Sequence, residues 1–379
     1  MKNKVLYVKN SSSAVNLNSY NVQAVGLGKA FCSLGYDYDF LYFSKENKII
    51  ATETINGKQF RIITKKGNRI LRSYYCKEAL DSAFLNQYDF IISTEYGQVM
   101  TYCLSKKSSK VVMYSGPYYN LFKFPFVSPI YDFLFTKKIN GAIKAKFVKS
   151  ELAKKYLAKK GYTDLHNIGV ALDIERFESP IEKDSNTLQL INYMTKHRCI
   201  LYIGALSDRK NFSFLLNVYR QVLKNNKDVH LVVIGTGKKH YVNKCFSQLS
   251  TQEKANLFHV SKIENSQLRF IYPLAKAFLL PSKLEIFGMV LLEAMYLGAP
   301  IITSWNGGSS TLIYKKQTGQ IIKNFDVNDW SSAVEKYLNN DDFSKTTVNK
   351  ARELITNEFV WSHLAEEILN CVKSYGYLE

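Results

Sequence analysis

Short apolar runs alternate with glycine-containing loops and longer amphipathic stretches along the whole chain. This is the pattern of buried strands alternating with helices. In the first half, Val5-Leu6-Tyr7-Val8, Phe40-Leu41-Tyr42-Phe43, Phe60 to Ile63, Tyr88 to Ser93 and Lys110 to Tyr114 read as strands. A helix is predicted from about Ser19 to Leu34, with Asn18 or Ser19 at its N-cap and Gly35 at its stop. A second covers Ser150 to Lys160. Residues 179–196 are polar and varied, and form the best linker in the chain. The pattern then restarts. Cys199 to Ile203, His230 to Ile234, Phe278-Leu279-Leu280 and Ile301-Ile302-Thr303 read as strands, and Phe258-His259-Val260 as an edge strand. Helices are predicted from Asn211 or Ser213 to about Lys224, from Ser266 to Leu274, and from Met289 to Leu297 before Gly298 and Pro300. Two such halves predict an α/β protein of two Rossmann-like domains facing each other across a cleft, residues 1–178 and 197–359.

A length of 379 residues, 46% hydrophobic and 22% charged, agrees with two globular domains. No apolar run approaches the roughly 20 residues that span a bilayer. The basic start MKNKVLYVKN precedes only a strand-length apolar run, which reads as a strand and not a signal peptide. Cys32, Cys76, Cys103, Cys199, Cys245 and Cys371 are scattered without a CxxC, as in a reduced cytosolic protein, and no metal site is expected. Asp37-Tyr38-Asp39 has the form of a metal-binding DxD, but polar residues flanking a strand are the better reading.

Charge changes the picture. The net charge is +19, and residues 1–180 hold 27 Lys and Arg against 14 Asp and Glu. Such a surface suits nucleic acid, an anionic membrane or an anionic substrate, and a merely lysine-rich soluble protein has it too. The stretch from Tyr118 to Phe147 interleaves aromatics with Lys123, Lys137 and Lys138, and Lys154, Lys155, Lys159 and Lys160 follow. Aromatic bodies beside lysines fit a membrane interface, and a lid with a solvated lysine face fits as well. The charge asymmetry tilts the balance to the membrane. No nucleic-acid motif appears, so no nucleic-acid partner is expected. The expected location is cytoplasmic, peripheral at the inner face of the cell membrane. The sequence does not give the oligomeric state.

Candidate chemistry gathers at the predicted strand ends, where α/β sheets bind ligands. Gly204, Gly235, Glu285 and Gly307 all fall there, and Arg209-Lys210 follows Gly204. Glu293 is the odd residue. Its helical neighbours Met289, Val290, Tyr296 and Leu297 are apolar or aromatic, so its carboxylate needs a partner or a ligand.

The segment PSKLEIFGMVLLEAMYLGAPIITSWNGG resembles the nucleotide-sugar signature of retaining GT-B glycosyltransferases, specifically glycosyltransferase family 4, with Glu285 and Glu293 as the E-x7-E pair. YIGALSDRKN (202–211), VVIGTG (232–237) and IGVALDIERF (168–177) extend the likeness, and WSHLAEEILNCVKSY (361–375) looks like the family's last helix, which crosses back to the N-terminal domain. That adds residues 360–379 to the first domain. The resemblance implies a retaining, metal-independent transferase without a cofactor, whose donor is a nucleotide-sugar, most simply a UDP-sugar. Its acceptor would be a lipid-linked or cell-surface glycan. Arg209 and Lys210 would neutralise the donor diphosphate, Glu285 would hold sugar hydroxyls and Glu293 the ribose. Ile286, Phe287, Gly288, Met289 and Val290 would line the donor at a helix N-terminus, and Gly307-Gly308 would form a tight turn beside it. Catalysis would rest on Glu285, Lys210 and Arg209, and Ser13, Tyr96, Gly116 and Tyr118 would face the acceptor. The first 165 residues contain no histidine, in keeping with a reaction that needs no positioned base there. Two departures stand out. Ala205 replaces an arginine common in the family, and the first loop, Ser11-Ser12-Ser13-Ala14, is not glycine-rich. They leave an alternative open, a non-catalytic GT-B subunit that stabilises an active partner.

Overall fold

The computed structural model describes residues 3–11, 15–17 and 22–378. The predicted cap at Asn18 or Ser19 and the acceptor-side Ser13 lie outside them. Contacts divide the chain into two units, residues 1–171 with 360–379, and residues 172–359.

The first unit contains β1 (Lys4–Lys9), β2 (Asp37–Ser44), β3 (Lys48–Ile55), β4 (Lys58–Lys66), β5 (Asn68–Ile70), β6 (Ser73–Tyr75), β7 (Phe90–Thr94), β8 (Val111–Ser115), β9 (Lys146–Val148) and β10 (Leu165–Asn167). Eight of them form one sheet in the order β10-β9-β8-β7-β1-β2-β4-β3. Its strands run parallel except β3, which pairs antiparallel with β4 at one edge. The sequence reading missed β3. Its signal was there: Asn56 and Gly57 join Ile55 to Lys58 with left-handed φ values of 49° and 76°, the two-residue hairpin that Asn-Gly favours. β7 and β8 are buried on both faces, which is why they read as unbroken apolar runs. The helix Gln23–Ser33 covers one face and packs against the helix Trp361–Ser374. The latter buries Trp361, Leu364, Ala365, Ile368, Leu369 and Val372, a stripe at helical spacing that returns the chain end to this unit.

The second unit is a six-stranded parallel sheet of β11 (Arg198–Ile203), β12 (Val229–Ile234), β13 (Leu257–Val260), β14 (Ala275–Leu280), β15 (Ile301–Ser304) and β16 (Gln320–Ile322). Its order is β13-β12-β11-β14-β15-β16, with β13 at an edge. The helix Phe212–Asn225 lays Phe212, Leu215, Tyr219 and Val222 on a core shared with Trp330 and Tyr337.

Three local expectations change. Residues 179–196 are not an open linker, because Ser185–Lys196 is a helix. Asp184 caps it through Thr187 N, and Thr187, Leu190 and Met194 are its buried face. Polar residues on the other face hid that stripe. Phe177 and Ser179 also belong to the second unit, where Arg269 donates to both carbonyls at 2.6 Å. The predicted helix Ser266–Leu274 is two 3-10 turns, Asn265–Phe270 and Tyr272–Leu274. Pro273 has no N–H to extend a helical ladder.

Candidate active site

In the second unit Gly204 follows β11 and Gly235 follows β12, neighbouring strands joined by the bond from Gly204 N to the Ile234 carbonyl. The loop after Gly204 delivers Arg209 and Lys210 to Glu285, which follows β14. Lys210 Nζ donates to Glu285 Oε2 in a largely buried ion pair. Arg209 reaches the same oxygen at 3.5 Å and donates to the Leu284 carbonyl at 2.9 Å. Two cations therefore flank one carboxylate at the carboxyl edge of the sheet. Ala205 supplies no charge there; its carbonyl accepts from Tyr202 Oη at 2.8 Å.

Ile286 and Phe287 lead to Gly288, the residue before the helix Met289–Leu297, held left-handed at φ 86°. A side chain there would be strained whatever the space. Gly307 and Gly308 are not the expected turn. They open the helix Gly307–Leu312, whose end Asn306 and Ser309 close with a reciprocal capping box. A Cβ on Gly307 would lie 1.7 Å from the Ile286 carbonyl oxygen, and one on Gly308 1.9 Å from that of Phe287. The glycines thus let the 285–287 loop rest directly on a helix end. Glu293 is fully buried, and its oxygens accept from Asn265 Nδ2 at 3.2 Å and Tyr272 Oη at 3.3 Å. Those partners account for a carboxylate on an apolar helix.

In the first unit Tyr96 follows β7, and Gly116 and Tyr118 follow the neighbouring strand β8. Tyr96 is core: its ring packs among Tyr131, Tyr156 and Tyr162, with Oη 3.2 Å from Tyr156 Oη. Gly116 is buried after β8, and Tyr118 is half-buried against Tyr119. What the sequence reading missed is a cavity of about 340 Å³ at the carboxyl ends of β1 and β7, lined among others by Tyr7, Lys9, Gln23, Phe40, Glu95 and Lys149. Asn10 ties the two strand ends together through Ser93 and Thr94. Glu95, at a left-handed φ of 61°, is a non-glycine residue in a sparsely populated region. Its carboxylate pairs with Arg72 at 3.5 Å and accepts from Gln98 at 2.9 Å. Lys149 donates to Gln23 Oε1 at 2.8 Å, its ammonium 4.6 Å from the Tyr114 ring centre. Burial lowers the ammonium pKa of Lys149 to about 8, and it shifts that of Lys9 downward, in both cases against the pull of Glu95. A charged residue at the end of an apolar strand, as in Val148-Lys149 and Thr94-Glu95, was the available signal.

Residues 191–354 match the family profile Glycosyl transferases group 1. That segment is a little under half of the chain and contains Arg209, Lys210, Glu285 and residues 286–290. Among curated relatives, an uncharacterized glycosyltransferase of Methanocaldococcus jannaschii is 27% identical over 195 residues, 51% of this chain and 49% of the relative. The alpha-monoglucosyldiacylglycerol synthase of Streptococcus pneumoniae is 24% identical over 248 residues, 64% of this chain and 55% of that protein. The chain thus spans about half the length of the curated relatives it matches. Among solved structures, Anabaena HepE in complex with UDP superposes with a TM-score of 0.74 at 12% identity, covering 98% of this chain and 100% of that one. Sucrose-phosphate synthase from Thermosynechococcus elongatus does so at 0.68 and 15%, covering 98% of each chain. The fold is α/β, with Rossmann-like units of the GT-B kind.

Proposed function

We propose that this protein is a glycosyltransferase that moves a sugar from a nucleotide-sugar, a UDP-sugar first of all, to a glycan or glycolipid acceptor. The observation that carries this reading is the cluster of Glu285, Lys210 and Arg209 at a sheet edge within the matched segment. With donor bound, the Glu285 carboxylate accepts hydrogen bonds from sugar hydroxyls. Lys210 and Arg209, which neutralise Glu285 in the free protein, turn to the diphosphate, where charge grows as the bond from the anomeric carbon to the phosphate oxygen breaks. The first N–H groups of the helix Met289–Leu297 have no intrahelical acceptor and favour the same anion. The reading carries retention of configuration: the acceptor hydroxyl attacks from the leaving side and gives its proton to the departing phosphate oxygen. It needs no metal and no further cofactor, since the diphosphate charge is met by side chains. A purely structural, non-catalytic role gains no support from an edge that keeps these three charged residues together.

An acceptor at an anionic membrane face is supported by the segment after β8. Phe126 and Phe133 are 62% and 87% exposed there, with Phe124 and Ile130 also out and Lys123 beside Phe124. Large exposed apolar side chains next to lysines suit a lipid interface. No described helix is long and apolar enough to cross a membrane. The relative from Streptococcus pneumoniae is named for a glycolipid product, which supports the same class of acceptor.

The direct test is a thermal-shift panel of UDP-, GDP- and ADP-sugars on the intact protein and on Glu285→Ala, followed by slow donor hydrolysis. Stabilisation by one donor class, lost in the variant, supports the reading. No shift with any donor, or an unchanged shift in Glu285→Ala, ends it.

A further inference from the structure

The cavity at the ends of β1 and β7 has a composition the donor chemistry does not use. Two ammonium groups, Lys9 and Lys149, stand on its wall against one carboxylate, Glu95. That carboxylate is already paired with Arg72 from outside the lining. The wall therefore presents positive charge. An anion that enters this half-closed space meets both ammonium groups at a lower dielectric than in open water. Phe40 and Tyr7 supply an apolar floor, and Gln23 with Glu95 supplies hydrogen-bonding groups. A volume of about 340 Å³ lies at the small end of ligand pockets and fits one ring. Glu95 is held in its left-handed conformation by its own bonds, its carbonyl accepting from Thr101 Oγ1 and its carboxylate from Gln98 Nε2. Backbone strain of this kind persists where surrounding structure over-determines it, which is common at ligand sites.

We propose that this cavity is a subsite for a hydroxylated ring bearing one oxyanion, a carboxylate or a phosphate. Lys149 and Lys9 hold the anion, and Glu95 accepts a hydrogen bond from a ring hydroxyl. That the ring belongs to the sugar acceptor rests on the glycosyltransferase reading; the binding itself does not. Preorganised ammonium groups in a partly desolvated wall are worth more to an anion than the same groups on an open surface. Neutral sugars should gain little from it.

The test is calorimetric titration of the intact protein, at 150 mM salt and without nucleotide, with glucose 6-phosphate, glucuronate and glucose as probes. The site predicts binding of at least one anionic sugar, with glucose at least about tenfold weaker. The two anionic probes distinguish phosphate from carboxylate. Lys149→Met and Lys9→Met should each weaken the anion about tenfold or more, the loss of one charge-assisted contact. Lys149→Arg should restore part of it, and unliganded melting curves show whether each variant is folded. Glu285→Ala should leave anion binding unchanged. Equal binding of glucose and the anions, or undiminished binding in both folded methionine variants, overturns the proposal, as does no binding of either anion. If UDP-sugars bind and the anions do not, this inference alone falls. If the anions bind and no nucleotide-sugar does, the proposed function falls and the anion site stands.

Discussion

Asp39 lies buried on β2, 3.2 Å from Lys4 Nζ and 2.6 Å from both Arg61 Nη2 and Tyr88 Oη. Burial pushes its pKa up, but the hydrogen bonds from Arg61 and Tyr88 and the charges of Lys4 and Arg61 outweigh it and hold the carboxyl below its usual range. The Asp37-Tyr38-Asp39 triplet is thus a structural ion cluster between neighbouring strands. Asp39→Ala strands two cations and should cost about 3–5 kcal/mol in urea unfolding. Because the folded pKa lies below the unfolded value of about 3.9, this contribution is complete above that pH. It should be lost only as pH falls further, which acid titration of the wild type against Asp39→Ala would follow. Lys149 has the opposite sign. Its folded pKa, about 8, is below the ordinary lysine value, so folding disfavours its charged form. The groups acting on it are Glu95, which opposes the shift, and Lys9, which adds to it. The penalty is full below pH 8 and is relieved as pH rises through that value. Lys149→Met should therefore stabilise the protein at pH 7, by at most about 3 kcal/mol at 1.4 kcal/mol per unit. The gain should shrink towards pH 10, as melting temperatures at the two pH values would record. A stabilising substitution that weakens anion binding is the expected trade at a binding site.

At the scale of elements, the loop 285–287 and the helix Gly307–Leu312 behave as one piece, since backbone lies on backbone with no room for a Cβ. Gly307→Ala must push Ile286 away and should lower the melting temperature. It should weaken nucleotide-sugar affinity about tenfold or more by moving Glu285, read by titration with the donor that the panel selects. The exposed phenylalanines carry the proposed membrane contact. Phe126→Ser with Phe133→Ser removes apolar surface already in water, so folding stability should hardly change. Flotation with anionic liposomes should fall about tenfold or more, at about 1.5 kcal/mol or more per phenylalanine that enters lipid. Unchanged flotation would reassign the segment 118–160 to a lid.

For the whole molecule, the chain end matters more than its position suggests. Residues 360–379 belong to the first unit, and the helix Trp361–Ser374 covers Gln23–Ser33. Truncation after Phe359 should abolish the first unit's cooperative transition in calorimetry and leave that of residues 172–359 in place. The alternation of apolar runs and loops determined the α/β class, the two sheets and most of their strands. Those features follow from local period and burial, which a linear pattern records. The charged trio was legible as well, because Arg209-Lys210 and Glu285 fall at strand ends and parallel sheets bring such ends to one edge. Tertiary structure decided the rest. It assigned Ser185–Lys196 to a packed helix, turned Gly307-Gly308 into a helix start, and buried Tyr96 and Glu293 with partners that no spacing rule specifies. It also brought Lys9, Glu95 and Lys149 around one cavity, though 140 residues separate the two lysines. Periodicity reports which face of an element is buried, but which side chains meet there depends on the order of strands across the sheet, and that order is set by packing far along the chain.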